Sequence, residues 1–119
     1  VELENGATYR DSEEVLRTRA RIKWWMDPKG KTLQDLSFQP GVKIPPQPLS
    51  AEVQARDFYR ETERPDFFGH YWLEGKPTLF RSNVCCLDYS IASYKGTGVL
   101  AAYRFDGETH LSEKNFFYV

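Results

Sequence analysis

Proline placement constrains this chain more than any other feature. Five of its seven prolines, Pro40, Pro45, Pro46, Pro48 and Pro65, fall within residues 37–65. Each removes a backbone donor and fixes φ, so a central strand is implausible over most of that stretch. A structureless connection of this length is uncommon inside a compact domain, which implies that it wraps and packs against something, and the surface it covers need not lie on this chain. A short helical piece fits residues 50–58.

The segments on either side read differently. Residues 1–9 alternate apolar and polar around Asn5-Gly6, a dipeptide that accepts positive φ at both central positions of a tight turn, and predict a small hairpin. Asp11 or Ser12 then caps a helix, with Glu13 and Glu14 set favourably against its positive end. Leu16, Ala20 and Trp24 recur at helical spacing, as do Val15, Ile22 and Trp25, although residues 17–24 also fit period-two alternation; the caps favour a helix over 11–26. Asp27-Pro28-Lys29-Gly30 supplies a stop and a turn. In the last third, residues 66–72, 84–90, 99–105 and 115–119 form four apolar or aromatic candidate strands. Val84-Cys85-Cys86-Leu87 and Val99-Leu100-Ala101-Ala102-Tyr103 lack clean alternation, which predicts burial on both faces. The predicted fold is α+β, a mainly antiparallel sheet with one or two helices, as a single portion of a domain over residues 1–119.

Composition excludes several classes. At 119 residues, with 40% hydrophobic and 28% charged residues, the chain is the size of one domain and has no apolar run able to span a bilayer, so no membrane partner is expected. Sixteen basic and 17 acidic residues give a net charge of -1, which provides no global field for nucleic acid. Cys85 and Cys86 are adjacent, a spacing that disfavours an ordinary disulfide and points to a reducing compartment, read as the cytoplasm. The start at Val1, with no initiator methionine and no leader pattern, reads as a cut end.

Few residues are candidates for chemistry. Of the two histidines, His110 lies in a polar turn, whereas His70 follows an apolar strand in Phe67-Phe68-Gly69-His70-Tyr71-Trp72. A bend at Gly69 would present the imidazole at a sheet edge, where ligands and catalytic groups commonly lie; a partly buried histidine bonded to a carbonyl is the plainer alternative. The vicinal cysteines lack the spacing of a zinc knuckle. No nucleophile elbow, P-loop or dinucleotide-binding glycine motif occurs. Arg17, Arg19, Arg21 and Lys23 read either as a phosphate-binding surface or as the solvated face of a helix, with Glu13 one turn from Arg17.

Taken in order, Thr18-Arg19-Ala20-Arg21, Phe68-Gly69-His70-Tyr71-Trp72, Cys86-Leu87-Asp88-Tyr89-Ser90 and the run from Leu100 through Tyr103-Arg104 to Glu108 resemble the C-terminal part of calcineurin-like metallophosphoesterases. The pattern is most similar to bacterial phosphoprotein-phosphatase-type members and symmetrical diadenosine tetraphosphatases, and it is most specific over residues 65–108. The resemblance implies half of an αββα sandwich of two sheets. It also implies a centre of two divalent ions, manganese, iron or zinc, that activates a hydroxide for in-line attack on phosphorus. His70 would be a ligand to one ion, Tyr71 and Trp72 a rim facing the substrate, and Arg19 and Arg21 a contact for polyphosphate. Trp72 stands where many members carry a second histidine, as in the single-histidine phosphoprotein phosphatases.

The family's Asp-x-His, Gly-Asp-x-x-Asp-Arg-Gly and Gly-Asn-His-Glu motifs are missing from this sequence. One histidine cannot fix two ions. The expectation is therefore a C-terminal fragment whose partner is the missing N-terminal half of the same domain, inactive and without bound metal by itself. The alternative is a non-catalytic binding or interaction module on the same β scaffold. A cut sandwich exposes an apolar face and strand edges, so self-association to a dimer or higher oligomer is expected.

Overall fold

The computed structural model describes residues 1–11, 13–38 and 42–119. The chain divides into two compact units, Val1–Arg60 and Glu61–Val119. The predicted cap Ser12, and Pro40 of the proline-rich stretch, lie outside the described residues.

In the first unit Asn5 and Gly6 do take positive φ, at 56° and 67°, but within a 3-10 turn over Glu4–Gly6 and not at a hairpin tip. The hairpin comes later: β1 (Tyr9–Arg10) runs antiparallel to β2 (Leu16–Arg17), with Tyr9 opposite Arg17. Among the described residues of 11–26 the expected helix is not formed. Asp11 turns the chain where it was expected to cap a helix: its Oδ1 accepts the Glu13 and Val15 N–H groups at 2.9 and 3.0 Å, and its Oδ2 takes Arg17 Nε at 2.7 Å. A short acidic side chain bonds the backbone just ahead of it as readily in a turn as at a helix start, so the capping signal did not discriminate. Residues 18–20 then pair with the N-terminus, Leu3 N–H donating to Thr18 O and Ala20 N–H to Val1 O, and the period-two pattern prevails.

The turn at 27–30 is present, with Gly30 at φ 71°. It leads into a helix the sequence reading missed, α1 (Leu33–Leu36), closed by a reciprocal capping box between Thr32 and Asp35. The expected piece at 50–58 is shorter, α2 (Ala51–Gln54), capped by the Ser50 hydroxyl. From the proline-rich stretch, Ile44 and Leu49 join Leu3, Tyr9, Ala20, Leu33, Leu36 and Val53 in one buried cluster.

The second unit is built from strands. β3 (Asp66–Phe68) runs parallel to β4 (Val84–Cys86), and β5 (Asp88–Tyr89), β6 (Val99–Tyr103) and β7 (Phe116–Tyr118) form an antiparallel sheet in that order. All four expected strand regions contain strand, and 84–90 is divided at Leu87 between two sheets. Val84, Cys85 and Cys86 are 0% exposed, as their apolar run predicts. β6 departs from expectation: Leu100 is 57% exposed while Val99, Ala101 and Tyr103 turn inward, because alanines concealed an ordinary alternation. Cys85, Leu111 and Phe116 form the core with Phe67, Leu79, Leu87 and Tyr103 against them. The fold is α+β with mostly antiparallel pairing. Among the described residues no helix is long and apolar enough to cross a membrane.

Candidate functional site

The site is a turn that leaves β3 and closes on β5. Phe68 O accepts the Leu87 N–H at 2.9 Å, which draws the end of β3 beside the link between β4 and β5. A Cβ on Gly69 would make only an ordinary van der Waals contact there, with Asp88 Cβ at 3.7 Å. The bend expected at the glycine falls one residue later, because His70 takes φ 64° and Trp72 takes φ 48°. Asp88 holds this conformation: its Oδ2 accepts the His70 N–H at 2.9 Å and its Oδ1 the Ser90 N–H at 3.1 Å. Its main-chain carbonyl accepts the Leu73 N–H at 3.0 Å, and the Ser90 hydroxyl donates to Leu73 O at 2.9 Å.

The turn sorts its side chains. His70 is exposed and Trp72 is 55% exposed, while Tyr71 is half-buried with its ring 5.1 Å from that of Phe68. Beneath them lies the buried Cys86 thiol, pushed up by burial, an effect opposed by the backbone N–H groups of Asp88 and Tyr71. The Cys85 thiol is pushed up to about 12, by burial first and by Cys86 second, and both cysteines are free. Neither is a ready nucleophile or metal ligand.

The structure brings His70, Tyr71 and Trp72 together in one turn. Arg19 and Arg21 belong to the first unit, on extended chain and not on the expected helix, because pairing with the N-terminus takes the Ala20 N–H and the Thr18 and Ala20 carbonyls that a helix would use. Arg19 forms an antiparallel bridge with Glu2, and its carbonyl accepts the Tyr9 hydroxyl at 2.8 Å. The Arg21 carbonyl accepts the Phe38 N–H at 2.9 Å. Both side chains are exposed on either side of buried Ala20. Asp88 and Ser90 were not singled out as site residues; the available signal was a lone acid just after a fully apolar strand. His110 is exposed, with Nδ1 3.2 Å from Thr109 Oγ1.

Set against family models, curated proteins and solved structures, the chain has no match.

The donor set bears on metal binding. His70 offers one imidazole, both Asp88 oxygens already accept N–H groups, and the thiols are buried and protonated. Among the described residues no group of three or more His, Cys, Asp or Glu is placed to hold an ion. A two-metal centre does not fit on these donors alone.

Proposed function

We propose that this chain is the C-terminal portion of a calcineurin-like metallophosphoesterase that hydrolyses phosphate esters or dinucleoside polyphosphates. It contributes His70 as one ligand of a two-metal centre whose other ligands lie on the N-terminal half of the same domain. Support comes from one observation above all: Phe68-Gly69-His70 and Leu87-Asp88, the two most specific motifs of the resemblance, meet in a single hydrogen-bonded turn that leaves the imidazole exposed. Trp72 beside it supplies an apolar surface for the part of the substrate that does not react. Arg19 and Arg21 are the proposed polyphosphate contacts. The two free thiols favour the cytoplasm.

Calorimetry with manganese and zinc on the chain and on His70→Ala, run beside hydrolysis of a generic phosphate ester, tests this function. Weak or absent binding without turnover is expected. Tight, stoichiometric, His70-dependent binding with turnover would show that copies of this chain assemble a complete site.

One observation favours a second function, that of an interaction module. Leu100, Phe117 and Val119 are exposed, and β6 pairs with β7 so that these residues share one sheet face with Ala102. Self-association through it is expected in either case. Light scattering that finds a strict monomer at high concentration would count against the missing half.

A further inference from the structure

Left-handed backbone at a non-glycine residue persists only where the surroundings over-determine it. The turn after β3 holds two such residues within three positions, His70 and Trp72, one with a large indole. The groups that fix them converge on Asp88. Its carboxylate binds the N–H of His70, the first left-handed residue, and its carbonyl binds the N–H of Leu73, immediately after the second. Asp88 is itself anchored, because it pairs with Leu100 in β5–β6 and its second carboxylate oxygen binds Ser90 N–H.

We infer that Asp88 is the positioning residue for His70, its carboxylate locking the backbone of the turn so that the Cα–Cβ bond of His70 leaves the sheet in one fixed direction. That His70 is the group presented for chemistry rests on the function proposed above; the locking itself does not. The chemistry calls for a carboxylate in particular. Each oxygen accepts from a backbone N–H, so an isosteric amide would keep one bond and set its own NH2 against the other N–H. A residue that only filled space would tolerate that exchange.

The experiment uses the full chain, labelled for NMR, as wild type and as Asp88→Asn. In the wild type, backbone order parameters at residues 70–72 of ~0.85 and a scalar coupling across the bond from His70 N to Asp88 Cγ are expected. In Asp88→Asn, backbone order at 70–72 falls below ~0.6, while β6 is unchanged. An Asp88→Asn chain with an intact β6 and undiminished backbone order at 70–72 would overturn the inference. So would absence of the cross-bond coupling in the wild type, a measurement that holds even if the variant fails to fold. Added Mn2+ separates this inference from the proposed function. Selective broadening at His70 over His110 supports the ligand role, and broadening at His110 in preference to His70 sinks that role while leaving Asp88 to be judged by backbone order at 70–72.

Discussion

The two units reach a folded state by different means. Among the described residues, regular structure in Val1–Arg60 is a 3-10 turn, one short hairpin and two four-residue helices, and side chains bond the main chain between them: Asp11 over its turn, Thr32 with Asp35, Ser50 over α2. In Glu61–Val119 the strand ladders are longer, and side chains bond the main chain around them, Asp88 at His70, Asn83 at Glu63, Glu113 at Leu79 and Tyr103 at Ser112. Where ladders are short, short polar side chains help to satisfy the backbone. A unit built that way depends on a few side chains and on its apolar cluster, whereas a strand-built unit depends on close approach of its segments.

That contrast can be broken at defined points. The largest effect is expected from Leu36→Ala, since Leu36 is 1% exposed in the first unit's cluster; a loss of ~2–5 kcal/mol should appear in urea unfolding. A loss under about 1 kcal/mol would mean that this cluster does not hold the unit. Next comes Gly98→Ala in the second unit. A Cβ there would stand 1.9 Å from the Ser90 carbonyl oxygen, so ~1–3 kcal/mol of overpacking cost and a lower calorimetric Tm are expected. An unchanged Tm would refute the close approach. Thr32→Ala removes one half of the capping box and should cost ~1 kcal/mol, with Ser50→Ala similar, both read from denaturation midpoints.

The smallest effect belongs to Glu108, a half-buried carboxylate held down to about 2, first by the Tyr103 hydroxyl and then by backbone N–H groups and Asn115. Its folded value lies below the unfolded one, so it contributes stability above about pH 4.5 that is lost as the pH falls towards about 2. Glu108→Gln should flatten the stability profile across that window. A profile as steep as that of the wild type would show that other carboxylates carry the acid dependence.

Most of the second unit was legible in the sequence because apolar runs bounded by turn residues translate directly into strands. The parallel pairing of β3 with β4 was not, since residues 69–83 carry no helical crossover pattern to announce it. The first unit misled at 11–26, where one aspartate serves turn and helix equally well, and α1 was missed although Thr32 and Asp35 stand at capping-box spacing. At the site, His70 was legible from the Phe-Gly-His run. Asp88 was not, because its part is set by a side chain meeting a backbone 18 residues away, a relation that local pattern does not encode.

The vicinal thiols have a practical corollary. Both cysteines of the chain stand in β4, at full burial, and Val1–Arg60 has none. A thiol reagent meets neither an accessible sulfur nor a thiolate while the chain is folded. Its rate of reaction therefore counts the excursions in which β4 leaves its place, and gives the opening of the strand-built unit its own clock.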